Sequence, residues 1–225
     1  MAVVVIAAML IGAGLYTFRS IRNLPFDSAA AGHDLLAGIG EVAAAFKEGT
    51  VTTTFISYAT EVSGNSYLQF AALKEVEVFE RSEAASALWG RLDLPTVVVQ
   101  ATAPVDYTYY LDLDATWNLW LEGETIHVRA PAIEHNTPAI DVTQLRYEVR
   151  ESSLFRDEDE VLTRLKDGLT EMARGRAQDN VALVRELGRR KTEEFVQTFL
   201  VSRFGLERGH PVVVVFADEV APSFH

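Results

Sequence analysis

Every odd position from 97 to 121 is apolar, Val97, Val105, Tyr107, Leu111, Trp117 and Leu119 among them, and the even positions between are mostly polar. This period of two belongs to a sheet with one buried face and one wet face, and it excludes a helix over the same stretch. The run is too long for one strand. The sequence predicts a break at Asp112–Ala115, and Pro104 marks an edge or a bend. After Gly123 the parity reverses: Ile126, Val128 and Ala130 point inward, Thr125, His127 and Arg129 outward. A tight hairpin at Glu122–Glu124 pairs the two apolar faces.

Upstream, residues 51–62 are dense in β-branched and aromatic residues and read as a strand. Ser63-Gly64-Asn65-Ser66 forms a turn, and 67–81 resume as a second strand, giving a hairpin. Val76 and Val78 there alternate against Glu75 and Glu77. Residues 82–95 read as irregular or as a helical turn. Leu145, Tyr147 and Val149 alternate with charged residues in a further strand.

The period then changes to 3.6. Residues 157–160, all acidic, sit where a helix N-terminus is electropositive, and Val161, Leu165, Leu169 and Met172 follow as a stripe. The polar stretch 174–179 around Gly175 predicts a kink or break, so two helices are expected, the second closed by Gly205. Val212–Phe216 is a continuous apolar run, the pattern of a strand buried on both faces.

Residues 1–18 carry no charged side chain, and as a helix they would span about 27 Å, close to the hydrocarbon thickness of a bilayer. No basic stretch precedes them, as a cleaved signal peptide requires. The expected organisation is a transmembrane anchor over 1–22 and a linker over 23–33. One α+β domain over 34–225 then follows: mainly antiparallel β to 151, helical over 157–205, and a last strand at 211–216. Within it, Asp34 caps a short amphipathic helix over 35–47 that stops at Gly49. Arg19 and Arg22 follow the uncharged run 1–18, which places the domain in the cytoplasm by the positive-inside rule.

The net charge of −12 opposes binding to nucleic acid, whose affinity comes mainly from neutralised phosphates. The absence of cysteine excludes disulfides, thiol nucleophiles and thiolate zinc sites. No phosphate-binding glycine loop or nucleophile elbow occurs, and no cofactor is expected.

The segments 66–82 (SYLQFAALKEVEVFERS), 112–134 (DLDATWNLWLEGETIHVRAPAIE) and the charged helical tail 157–205 resemble the bacterial "domain of unknown function 4230" family, over about Leu35 to Phe204. The resemblance implies an N-terminally anchored envelope protein with its domain outside the membrane, opposite to the side that the arginines favour. It implies no catalytic residue.

Three constellations bear on chemistry. Asp112 and Asp114 form a D-x-D on the wet face, about 6.6 Å apart in a strand, with Asp106 on the same face. Such carboxylates suit a hydrolase or half a cation site, and a bend with solvated side chains is the plainer reading. His127 and His135, near Glu134, lack the usual zinc spacing, and His127, on the face of Thr125 and Arg129, reads as an exposed strand histidine. Tyr110, Asn118 and Trp120 share the wet face and make a platform for a sugar or peptide, unless the C-terminal helices cover it. Tyr107, Tyr109 and Trp117 point to the core. The expected function is a non-catalytic binding or scaffolding module, held to the lipid bilayer through residues 1–18 and meeting a protein or glycan partner. The alternative is an envelope hydrolase using Asp106, Asp112 and Asp114. The full chain should sediment with membranes and resist extraction by alkaline carbonate; quantitative release would remove the anchor from this reading.

Overall fold

The computed structural model describes residues 43–84, 86–87, 92–93, 96–152, 157–206 and 210–219. The anchor, the linker and the start of the helix expected at 35–47 lie outside the described residues. Among the described residues, no helix is long and apolar enough to cross a membrane. Residues 43–48 are helical and end at Gly49, whose φ of 72° is the left-handed stop expected there.

Residues 51–62 are not a strand. Helix α1 runs Val51–Ser63 and buries Val51, Phe55, Tyr58 and Ala59. Those positions fall on one helical face, and this spacing outweighs the β propensity of the threonines, which is mostly a measure of packing context. The threonine and serine hydroxyls turn back onto helix carbonyls, as Thr54 to Thr50 at 3.0 Å and Ser57 to Thr53 at 2.9 Å.

β1 (Tyr67–Glu83) therefore finds its partner elsewhere. β2 (Ser86–Ala87) and β3 (Leu92–Asp93) form a minute antiparallel ladder in the stretch expected to be irregular, and β4 (Val97–Asp112) returns along the whole of β1. The far side of β4 is paired by three short pieces: β7 (Glu134–His135), β8 (Ala139–Ile140) and β9 (Arg146–Glu151). Pro104 thus sits in a central strand. Its carbonyl accepts from the Asp141 amide at 2.9 Å, on the side of those pieces, and its pairing falls between the β8 and β9 registers. The ladder is interrupted where proline has no N–H to give, so the proline is tolerated. The odd face of β4 is fully buried from Val97 to Leu111, as the alternation requires. β9 forms as expected, but its residues are all exposed.

β5 (Asn118–Glu122) and β6 (Thr125–Ala130) make the expected hairpin, with Gly123 at φ 61°. Residues 113–117 between β4 and β5 form the predicted break. β10 (Val212–Phe216) adds to β6 in parallel, so this small sheet has the order β10-β6-β5. Val212, Val214 and Phe216 are buried and Val213 is 37% exposed, so the last strand is covered on one face rather than on both. It occupies a sheet edge and carries a covering helix on one side only.

That helix is α2, Glu158–Phe204, one continuous helix of 47 residues rather than two. Asp157 caps it by accepting from the Asp159 amide at 2.9 Å, and Gly205 stops it in the left-handed conformation. The expected break was a misreading of size. The inward positions here are Ala173, just before the polar stretch, and Ala177 within it, both fully buried but too small to mark a stripe. They let the helix approach the sheet, and Tyr109 donates to the Ala177 carbonyl at 3.1 Å. Gly188 lies where a Cβ would stand 2.9 Å from the ring of Phe70. An aromatic knot ties the helix to α1 and the small sheet: Phe55 lies 5.2 Å from Trp117, 6.0 Å from Phe195 and 5.4 Å from Phe199 between ring centres.

The C-terminal part of the outer edge of β10 is occupied by side chains. Arg189 donates to the Val214 carbonyl, and the Phe216 amide donates to Glu219 Oε2 at 2.9 Å. Arg185 pairs with Asp218 at 2.6 Å, Arg189 with Glu219 at 2.7 Å, and both guanidinium groups lie over the Phe216 ring. The hydrogen bond from Arg185 holds Asp218 below its ordinary carboxylate range. Burial pushes Glu219 up, but Arg189 and the Phe216 amide together hold it below its usual value.

Two outcomes follow from this packing. Gly188→Leu should lower stability in urea by about 1–3 kcal/mol through overpacking, whereas Gly175→Ala, with open space around its Cβ, should raise it by about 0.5–1 kcal/mol. Depressed carboxylates contribute stability that is complete above their unfolded values, about 4, and lost as pH falls through the folded values. Urea stability should therefore drop below about pH 4.5, and Asp218→Asn/Glu219→Gln should be less stable at neutral pH with a flatter acid slope.

Candidate functional site

The hairpin turn at Gly123 decides the geometry of the small sheet. With Glu122 opposite Thr125, Trp120 falls opposite His127 and Asn118 opposite Arg129. The parallel register of β10 then sets Val213 beside His127 and Val215 beside Arg129. The result is a flat solvent face crossed by the row Trp120, His127, Val213. Its other face holds Leu119, Ile126, Val128 and Val214, all buried.

Trp120 is 38% exposed, so α2 does not cover it. Its ring stacks on that of His127 at 5.2 Å between centres and 15° between planes. His127 Nε2 in turn lies 3.6 Å from Glu122 Oε2. The indole is therefore held by its cross-strand neighbour, and polar groups of both signs, Asn118, Glu122 and Arg129, stand around it. Such a face can take a flat or apolar ring against the indole and hydrogen-bond its substituents at the rim.

The other residues singled out from the sequence lie elsewhere. Tyr110 is on the long sheet, where it donates to Glu134 Oε2 at 3.0 Å and its ring lies 5.1 Å from Tyr67. Burial, then Glu134, pushes its phenol up from the ordinary value. It does not share a face with Trp120, because the break after Asp112 sends β5 into a different sheet. Asp112 Oδ1 accepts from the Asp114 amide at 2.9 Å, and its carbonyl accepts from Trp117 Nε1 at 2.9 Å, so this residue shapes the bend between the sheets. Asp106 pairs with Lys74 at 3.3 Å on an open surface. It stands six residues from Asp112 along one strand, about 20 Å, too far for the two to flank a single bond. His127 and His135 belong to different sheets, and His135 lies against Tyr109. Among the described residues, no group of three or more histidine or acidic side chains is placed to hold a metal ion.

Val213 and Val215 were not read from the sequence as part of this face. Their alternation is masked by an all-apolar run, and only the parallel pairing with β6 brings them beside His127 and Arg129. The chain matches no family model, no curated protein and no solved structure.

Proposed function

We propose that this chain is a non-catalytic binding module, tethered to the bilayer by residues 1–18, whose contact surface is the Trp120 face of the three-stranded sheet. The observation that carries the reading is the exposed Trp120 ring held against His127. A partly exposed indole braced by His127 offers a flat apolar surface suited to a ring-shaped ligand. A single aromatic platform with a rim of Asn118, Glu122 and Arg129 favours a glycan, whose apolar ring face lies on the indole and whose hydroxyls reach the rim. The resemblance to the domain of unknown function 4230 family agrees with a tethered envelope module and adds no chemistry. The carboxylates of the hydrolase alternative are engaged in a bend and a surface ion pair, which favours binding over hydrolysis.

The test is a glycan array probed with the detergent-solubilised full chain. A defined set of oligosaccharides should bind, and Trp120→Ala should lose them at least tenfold while its melting temperature stays within a few degrees. An empty array, or equal binding by the variant, would sink the reading. Asp112→Asn/Asp114→Asn should bind as the parent does.

A further inference from the structure

Along β1 the polarity of the side chains runs against their orientation. Glu75 and Glu77 point toward α2 and are half-buried, while Val76 and Val78 point to solvent at 69% and 46% exposure. The alternation alone would put the valines inside. The cause is a register shift between Gln69 and Ala71: Tyr67 and Gln69 pair with the even residues of β4, but beyond Phe70 the odd residues of β1 pair with its odd, buried residues. One extra residue sends every later side chain to the opposite face. The inward carboxylates are met by Tyr107, which donates to Glu77 at 3.0 Å, by Asn180 at 3.4 Å from Glu75, and by Arg176 at 3.8 Å from Glu77. The chain thus keeps acids under a helix and leaves valines in water.

The exposed valines have company. Val76 is paired with Pro104 and Val78 with Thr102 on the same face. Polar pairs close the patch at both ends: Lys74 with Asp106 at 3.3 Å, and Gln100 with Glu80 at 2.6 Å. An apolar centre with a polar rim is the layout of a protein interface.

We propose that this face of the long sheet packs against the same face of a second copy of the chain. Charge selects that occupant. A two-fold axis along the strands lays β1 over β4 of the second copy, which sets Val76 over Pro104, Val78 over Thr102 and Lys74 over Asp106. An axis across the strands sets Val76 over Val78 and Lys74 over Glu80 of the second copy. In both arrangements Val76 meets an apolar side chain and Lys74 meets a carboxylate, so the surface is complementary to itself, as a two-fold interface requires. The overlapping strands β1 and β4 run about 55 Å and together are about 10 Å wide, about 550 Å² on each copy, the size of a weak, concentration-dependent interface. Sheets pack face to face in this manner about 10 Å apart.

The chain has no cysteine, so single cysteines report without background. In the detergent-solubilised full chain, Val76→Cys should be joined into a dimer by a short bismaleimide. Leu183→Cys, 70% exposed on α2, should remain monomeric. In sedimentation the parent should shift to a dimer as concentration rises. Val76→Arg/Val78→Arg should stay monomeric at least tenfold higher in concentration, with the melting temperature that the parent shows at concentrations where it is monomeric. A parent that is monomeric throughout would overturn the proposal and leave the patch to a different protein. A dimer that survives the arginine pair, or equal coupling at position 183, would overturn it as well.

Discussion

Phe70 seated under Gly188 is the contact on which the arrangement of this protein turns. The ring occupies space that any larger residue at 188 would fill, and Phe70 is the extra residue at the register shift in β1. Helix α2 lies along the long sheet because Ala173, Ala177 and Gly188 give it room. The same contact holds the bulge that decides which face of β1 the helix covers. A glycine inside a helix costs about 1 kcal/mol against alanine, and close packing offsets that cost here. The orientation of Glu75, Val76, Glu77 and Val78 is a consequence of one inserted residue.

From that contact the helix reaches both sheets. Its first half covers β1 and β4; its second half carries Phe195 and Phe199 into the aromatic knot with α1, and Arg185 and Arg189 onto the edge of β10. The two arginines answer a standing hazard of sheet proteins, an open edge ready to pair with another chain. Val214 and Phe216 offer backbone groups outward, and a guanidinium and a carboxylate occupy them. On the small sheet the C-terminal part of the β10 edge is occupied, while the Trp120 face is open. This is why a ligand platform on Trp120 is the functional reading and strand addition at the C-terminus is not.

The two exposed surfaces differ in character. The Trp120 face is small, aromatic and rimmed by both charges, which suits a small ring-bearing ligand. The Val76 face is long, flat and charge-matched to itself, which suits a second copy. They belong to different sheets, so a dimer formed through the long sheet leaves the platform on the other sheet open in each copy.

Residues 97–130 were legible because one physical rule governs them: alternate side chains of a strand point to opposite faces, and water enforces the pattern. Val97 to Leu111 inward, the break after Asp112, the turn at Gly123, and Trp120 and His127 outward all follow from period two. The caps of the long helix were legible for a similar local reason, since Asp157 and Gly205 act on their own turn of backbone. Helix α1 was misread because threonines and aromatics serve both secondary structures, and only the packing of Phe55 and Tyr58 against Phe195 and Phe199 selects the helix. The unbroken course of α2 was hidden because alanine and glycine contribute by their smallness, which has meaning only against the surface they approach. The separation of Tyr110 from Trp120, the arrival of Val213 beside His127 and the outward turn of Val76 were decided by tertiary structure alone. Each depends on which strand lies next to which and in what register, and register is set by contacts between residues far apart in the chain.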